Sequence, residues 1–370
     1  MHIGIDASRS VIPRRTGTEG YSLQVIRGLL GLDSGDRFTL YFSQPPWPGL
    51  FPDRPGLRQR VMPFPRLWTH ARLSLEMATA PPEVLFIPAH VIPLVHPRRS
   101  VVTIHDLGYL YYPRAHSRSR WWHLHLSTRW SARVATLIIA DSQATRNDLV
   151  RHYGVKPEKI RVVYLGCDPS FRPLEGPDRL ATMRQRLGLA ENYILYLGTL
   201  QPRKNVPRLL QAYAVARQRY GLRHQLVLAG QPGWRAEAVE EQVSRLGLDE
   251  NVRRVGYVPE EEVQALLCGA TALVLPSLYE GFGLPALEAM ACGTPVIASS
   301  VSSLPEVVGD AGRLLNPCDV ESWAATMSEL SESESLRANL RERGLRRAAS
   351  FTWERCAHET YAVLAAAARS

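Results

Sequence analysis

The sequence predicts an α/β protein, and three observations carry that expectation. Residues 193–197, 225–229, 252–255, 272–275 and 295–298 read as strands, each followed by a stretch able to form a helix. That alternation is the signature of a parallel sheet covered on both faces. The chain opens in the same manner: His2-Ile-Gly-Ile-Asp6 reads as a strand, residues 16–20 as a Gly-containing loop and residues 21–30 as an apolar-periodic helix. Finally, 370 residues with 45% hydrophobic content suffice for two full cores. The expected architecture is two Rossmann-like domains with a cleft between them.

Composition narrows the class. No basic segment followed by an apolar run begins the chain, so no signal peptide is expected, and no apolar run reaches the length of a membrane span. The five cysteines, Cys167, Cys268, Cys292, Cys318 and Cys356, lack paired spacing, which points to reduced thiols in a cytoplasmic protein and to neither a disulfide scaffold nor a zinc site. Charge is asymmetric. Residues 1–170 hold 22 of the 44 Lys+Arg but only 12 of the 35 Asp+Glu, a net +10, and the remainder carries −1. A basic half attracts nucleic acid, an anionic membrane surface or a phosphorylated substrate. Only Lys156, Lys159 and Lys204 are lysines, so a lysine inside a motif carries weight.

In the first half the dinucleotide fingerprint is not met, because residues 7–16 make too long a loop without the required glycine spacing. Gly17 then serves either a loop approaching a ligand or an ordinary turn. Residues 37–42 and 84–88 read as further strands, separated by a Pro-rich irregular region at 45–65. Residues 101–107 read as a buried strand ending in His105 and Asp106, where ligands of open parallel sheets gather. A capping Asp beside a satisfied His fits the same residues. Residues 117–133 read as a helix with Trp121, Trp122 and Trp130 among Arg118, Arg120, Arg129 and Arg133. That pattern suits a face lying on lipid headgroups, and equally a solvated helix with a core stripe. Residues 134–140 read as a strand, Asp141-Ser-Gln-Ala-Thr145 as a helix start, 161–165 as the last strand and 168–177 as the linker.

The second half holds the chemistry. After the strand at 193–197 comes Gly198-Thr-Leu-Gln-Pro-Arg-Lys-Asn205, with Arg203 and Lys204 just ahead of a helix over residues 205–219. Two adjacent cations there can clamp a diphosphate, Arg as a fork and Lys as a point charge. After the strand at 272–275 comes Pro276-Ser-Leu-Tyr-Glu-Gly-Phe-Gly-Leu-Pro-Ala-Leu-Glu288, a turn into a helix. Gly281 and Gly283 let backbone N–H groups approach a ligand, and the helix opening at Pro285 adds its positive end. Glu280 in the loop and Glu288 in the first helical turn are carboxylates that accept hydrogen bonds from a sugar or ribose. The spacing also fits a surface Glu and a capping Glu around an ordinary turn.

Together, the segment from Gly198 to Asn205, the segment from Glu280 to Glu288 and His105-Asp-Leu107 resemble a retaining family 4 glycosyltransferase of the GT-B type, over essentially the whole chain, and among such enzymes the bacterial mannosyltransferases of surface polysaccharide synthesis. The resemblance implies that Arg203 and Lys204 bind the diphosphate of a nucleotide-sugar. It implies that Glu288 binds the ribose and Glu280 the donor sugar, with the N–H groups of Phe282, Gly283 and Leu284 steadying sugar and phosphates. His105 would line the donor-sugar side from the other domain, Asp106 and Ser142 the acceptor side, and Gly17 would approach the diphosphate. The base would be read near Gly256, Tyr257 and Val258. Gln201 departs from the pattern, since many relatives carry an acidic residue there. The implied domains are an acceptor-binding domain at 1–170, a nucleotide-sugar domain at 171–350 and a C-terminal helix at 351–370 packing back on the first.

The implied reaction is front-face attack with retention of configuration, the leaving diphosphate helping to take the acceptor's proton. No Asp-x-Asp pair occurs in the chain, so a metal-independent reaction with no cofactor is expected. GDP-mannose is the favoured donor, and a UDP- or ADP-sugar with glucosyl or N-acetylhexosaminyl transfer is the alternative. The acceptor would be a glycan or a polyprenol-diphosphate-linked sugar, reached from the cytoplasm at the inner face of an anionic membrane. A two-Rossmann epimerase would need further acid and base carboxylates facing the sugar, and a non-catalytic binding protein would not need Glu280, Lys204 and His105 together. A nucleic-acid partner is suggested only by the sequence pI of 9.5 and lacks an aromatic platform or recognition helix.

Overall fold

Apolar strands without alternation have to be covered on both faces. In the computed structural model, which describes residues 1–12, 17–113, 117–176, 178–234 and 237–370, that requirement is met twice. The chain divides into two compact units, Met1–Gly166 with Phe351–Ser370, and Cys167–Ser350. Thr16 and Pro177, at the expected first loop and linker end, lie outside the described residues.

The first unit runs β1 (His2–Asp6), α1 (Gly17–Gly31), β2 (Arg37–Phe42), β3 (Leu57–Val61), α2 (Ser74–Thr79), β4 (Val84–Ile87), β5 (Ser100–Ile104), α3 (Gly108–Tyr111), α4 (Arg118–Val134), β6 (Leu137–Ala140), α5 (Gln143–Tyr153) and β7 (Ile160–Val162). Its seven strands lie in the order β3-β2-β1-β4-β5-β6-β7, every described pairing parallel. β4, β5 and β6 are buried at every position, which is why they read as strands in the sequence.

Two expectations are corrected here. Residues 45–65 are not wholly irregular: they contain β3, paired with β2 from Phe38 opposite Leu57 to Phe42 opposite Val61. Leu57-Arg-Gln-Arg-Val61 lacks an apolar run because it is a largely exposed edge, where charge discourages further strand pairing. Gly17 is likewise not in a loop but is the exposed first residue of α1. Glu19 in the first turn complements the helix dipole, so the helix starts ahead of the apolar periodicity at Tyr21.

The second unit runs α6 (Asp178–Leu187), β8 (Tyr193–Leu197), α7 (Val206–Tyr220), β9 (Gln225–Ala229), α8 (Glu237–Arg245), β10 (Val252–Gly256), α9 (Glu260–Cys268), β11 (Ala272–Leu275), α10 (Leu284–Ala291), β12 (Val296–Ser299), α11 (Leu304–Val308), β13 (Arg313–Leu315), α12 (Val320–Glu332) and α13 (Glu334–Ala348). Its sheet is ordered β10-β9-β8-β11-β12-β13, again parallel throughout the described pairings. The three-residue β13 is too short to stand out in the sequence. Ile194, Tyr196, Leu226, Val274 and Ile297 share one core with Trp323 of α12, whose Nε1 donates to the Asn316 carbonyl at 3.0 Å.

The chain leaves the first unit after Gly166 and not at residue 170. A Cβ at Gly166 would lie 2.2 Å from the Trp353 nitrogen, so this glycine is fixed against the start of the terminal helix α14 (Trp353–Arg369). In turn α14 packs on α1, β4, β5 and β6.

Both sheets place their first strand inside, between the second strand and the fourth. The direction of winding reverses there, and open α/β sheets bind ligands outside the strand carboxyl ends at such a switch point. The two switch points lie between β1 and β4 and between β8 and β11.

Candidate active site

At the second switch point, Gly198 follows the end of β8 and the chain makes one 3-10 turn at Pro202–Lys204. Asn205, in the left-handed region at φ 59, then turns it into α7. The Asn205 amide donates to the carbonyls of Pro276 at 3.1 Å and Pro317 at 2.9 Å, and the Leu278 nitrogen donates to the Arg203 carbonyl at 2.8 Å. The loops after β8 and β11 are thereby stitched together.

This brings Arg203, Lys204 and Glu280 into one cluster. Lys204 Nζ donates to Glu280 Oε1 at 2.6 Å, and Arg203 Nη1 donates to Glu280 Oε2 and to the Tyr279 carbonyl at 3.1 and 2.9 Å. Ser277 Oγ adds a bond to Oε1 at 2.6 Å. Glu280 is 6% exposed. Burial alone would raise its pKa, but the charges of Lys204 and Arg203 outweigh that and hold the carboxyl down at about 2. Two cations against one carboxylate leave the cluster with a net positive charge. Oε1 takes two donors and Oε2 one, so the free acceptor capacity of Glu280 for a sugar hydroxyl lies on Oε2.

Gln201 clarifies the departure noted in the sequence. With its amide oxygen toward the guanidinium, it accepts from Arg203 Nε at 3.1 Å and Nη2 at 3.3 Å. A neutral amide thus orients Arg203 without cancelling its charge.

The Glu280 loop is held from β12. Glu280 N donates to Ser302 Oγ at 2.9 Å, and the Ser302 hydroxyl also meets the Glu280 carbonyl. Ser303 Oγ donates to the carbonyls of Glu280 at 3.0 Å and Phe282 at 2.8 Å. Gly283, at φ 105, caps α10, and a Cβ there would meet Leu304 at 2.7 Å. Only glycine gives both that conformation and that approach. Phe282 is buried, Gly281 and Leu284 are half-buried, and the helix start carries the dipole's positive end.

Glu288 is the fifth residue of α10, so it lies in the second helical turn and not the first, because the helix opens at Leu284. Half-buried, it has its pKa raised to about 7, first by desolvation and then by the charges of Glu260 and Asp168. Glu260 follows Gly256, Tyr257 and Val258 by a short step, so the segment expected to read a base leads directly to Glu288's surroundings. Gly256 ends β10 at φ 67, Tyr257 is exposed and Val258 is buried.

In the first unit His105 directly follows β5. Its Nδ1 lies 2.6 Å from Asp141 Oδ2 and its Nε2 lies 2.9 Å from the Pro88 carbonyl. Burial would lower the His105 pKa, but the Asp141 carboxylate and the Pro88 carbonyl together raise it, and the ring is held between these two acceptors. Both ring nitrogens are thus engaged within the first unit. Asp106 Oδ1 accepts from Gly108 N at 2.8 Å and Ser142 caps α5 by accepting from Thr145 N at 3.0 Å. These are local turn and cap roles. Gly17 opens α1.

Several residues of the cluster were missed in the sequence. Ser277, Ser302 and Ser303 fix Glu280 but form no spacing pattern that a sequence could signal.

Two family models match the chain: Glycosyltransferase Family 4 over residues 17–171, and Glycosyl transferases group 1 over residues 181–347. The O-antigen chain mannosyltransferase B of Escherichia coli is 38% identical over 263 residues, covering 71% of this chain and 69% of that protein. The MMP alpha-(1->4)-mannosyltransferase of Mycolicibacterium hassiacum is 36% identical over 260 residues, 66% of this chain and 60% of that protein. Among solved structures, Anabaena HepE in complex with UDP and glucose superposes with a TM-score of 0.75 at 21% identity, covering 99% of this chain and 100% of that one, a likeness of fold. With two parallel sheets of the GT-B class and a cation cluster at a switch point, the chain is a glycosyltransferase and belongs to family 4.

Proposed function

We propose that this enzyme moves a hexose, mannose from GDP-mannose, onto a glycan or polyprenol-diphosphate-linked acceptor in cell-envelope polysaccharide synthesis, with retention of configuration and without a metal ion. The observation that carries this reading is the convergence of Arg203 and Lys204 on Glu280 at the β8/β11 switch point, beside the amino end of α10. Such a cluster is preorganised for the charge that grows on a departing diphosphate. The identity to an O-antigen chain mannosyltransferase supports the choice of sugar. In this reading the Glu280 cluster is the donor half-site, with Glu288 on the ribose and Gly256–Val258 near the base. A UDP-sugar donor is the second reading, favoured by the fold likeness to HepE with UDP and glucose.

The test is release of nucleoside diphosphate from GDP-mannose, UDP-glucose, UDP-N-acetylglucosamine and ADP-glucose, with chelator present. Release from GDP-mannose above the others is the expected result. Release from another donor would replace the sugar assignment, and dependence on added metal would overturn the metal-free mechanism.

Glu288 gives a pH prediction. A ribose that donates to it binds the ionised form, whereas a raised pKa of about 7 leaves it mostly protonated below neutrality. GDP-mannose, whose diphosphate does not titrate near pH 7, is expected to bind roughly tenfold more weakly at pH 6 than at pH 8. Glu288→Gln should flatten that profile, as measured by calorimetric titration.

The membrane partner also enters as a proposal. No helix among the described residues is long and apolar enough to cross a bilayer. Along α4, however, Trp122 and Leu126 are 56% and 55% exposed beside exposed Arg118, Arg120, Arg129 and Arg133, and the helix contains no acidic residue. Apolar insertion flanked by cations suits the anionic inner face of a bilayer. Replacing Arg118, Arg120 and Arg129 with Gln is expected to release the protein from vesicles containing phosphatidylglycerol, and unchanged co-sedimentation would contradict the assignment.

A further inference from the structure

The first unit has its own switch point, between β1 and β4, and the loop leaving β4 there carries His90. Its backbone is left-handed at φ 53, a conformation that costs energy for a residue with a side chain. The loop is pinned on both sides of it. The Pro88 carbonyl accepts from His105 Nε2 at 2.9 Å, His90 N donates to the Thr103 carbonyl at 3.0 Å, and Ile92 N donates to Ser131 Oγ at 3.0 Å. The surrounding structure therefore imposes the strained conformation.

The ring is half-buried and lies against His105, centroids 5.2 Å apart at 58°. Neither of its nitrogens hydrogen-bonds to the described residues. His105 is the opposite case, with both nitrogens taken and Tyr21 packed edge-on at 4.8 Å. The charged groups facing His90 are His105, Asp106 and Arg9. Burial and the His105 charge lower the His90 pKa, so the ring stays neutral and offers one N–H donor and one lone pair. A sugar hydroxyl is also one donor and an acceptor.

We propose that His90 holds a hydroxyl of the acceptor sugar, and that His105 is a positioning residue that acts through it by fixing the Pro88 loop and bracing the ring. This rests on the transferase reading above. A neutral imidazole of lowered basicity does not remove the acceptor's proton, so His90 orients the hydroxyl and is not its base.

The experiment uses the full chain with GDP-mannose and methyl α-mannopyranoside as the probe acceptor, comparing wild type, His90→Gly and His90→Asn. Gly and Asn both tolerate the left-handed backbone, and Asn returns a donor and an acceptor. For His90→Gly, transfer to the probe is expected to fall about tenfold or more beyond any change in donor hydrolysis to water, through the probe KM, with much of the loss recovered in His90→Asn. Equal loss of transfer and hydrolysis, or no recovery by Asn, would overturn the proposal. Absence of turnover by the wild type on any donor would overturn the transferase reading instead. The His90 proposal is then decided by ring-nitrogen NMR of the histidine-labelled protein, with His90→Gly as the assignment. A neutral ring at pH 7 whose signals shift on titration with the probe is expected, and a protonated ring or one unmoved by the probe would refute it.

Discussion

Glu280→Ala is expected to destabilise the protein by about 3–5 kcal/mol and to abolish transfer, because it removes the carboxylate that balances a buried lysine. Lys204 is itself buried, and its ammonium loses the carboxylate 2.6 Å away while remaining out of water. The same magnitude follows from the carboxyl's titration. A shift from the ordinary 4.5 to about 2 corresponds to roughly 3 kcal/mol of stability. Since the folded pKa is the lower one, that contribution is complete above pH 4.5 and disappears as pH falls toward 2. Urea denaturation should therefore show a large deficit for Glu280→Ala at pH 7 that narrows as the pH is brought below 4. A deficit that does not depend on pH would mean that lost packing, and not the charge cluster, accounts for the effect.

Lys204→Met is expected to lower kcat by about 10²–10³-fold, the usual consequence of removing one preorganised charge from a developing anion. Met fills the lysine's stem volume, and Glu280 keeps Arg203 and Ser277 as partners, so the fold should survive. Arg203→Lys should also lose most activity although charge is retained. The guanidinium divides its donors among Tyr279, Glu280 and the Gln201 amide, a planar arrangement that an ammonium does not reproduce. The kinetic signature is a fall in kcat larger than the change in donor KM, since charge on the leaving group grows toward the transition state. Equal activity in Lys204→Met and wild type would remove Lys204 from the mechanism.

The sequence was most legible where structure and chemistry both demand particular residues. β4, β8 and β11 are buried on both faces, and their apolar runs are continuous. Arg203, Lys204 and Glu280 stood out because cations and a carboxylate at strand carboxyl ends are costly unless used. The edge strand β3 escaped because solvent exposure permits arginine in a strand, and the start of α1 because Gly17 and Gly20 mask helix. The site's supports were hidden for another reason. Ser302 and Ser303 act through a single hydroxyl each, at positions set by the fold of the loop after β12. His105 and Asp106 were visible, but a sequence does not say whether a ring nitrogen is open. Only the geometry reveals that Asp141 and Pro88 close both. His90 had no signal beyond being a histidine after an apolar run.

The central claim, that the Arg203, Lys204 and Glu280 cluster takes the diphosphate of the donor without a metal, is tested most directly by calorimetric titration of GDP against GMP in excess chelator at pH 8. GDP is expected to bind at least tenfold more tightly than GMP in the wild type, with that difference largely lost in Lys204→Met. Equal affinity for the two nucleotides, or GDP binding that appears only after magnesium is added, would contradict it.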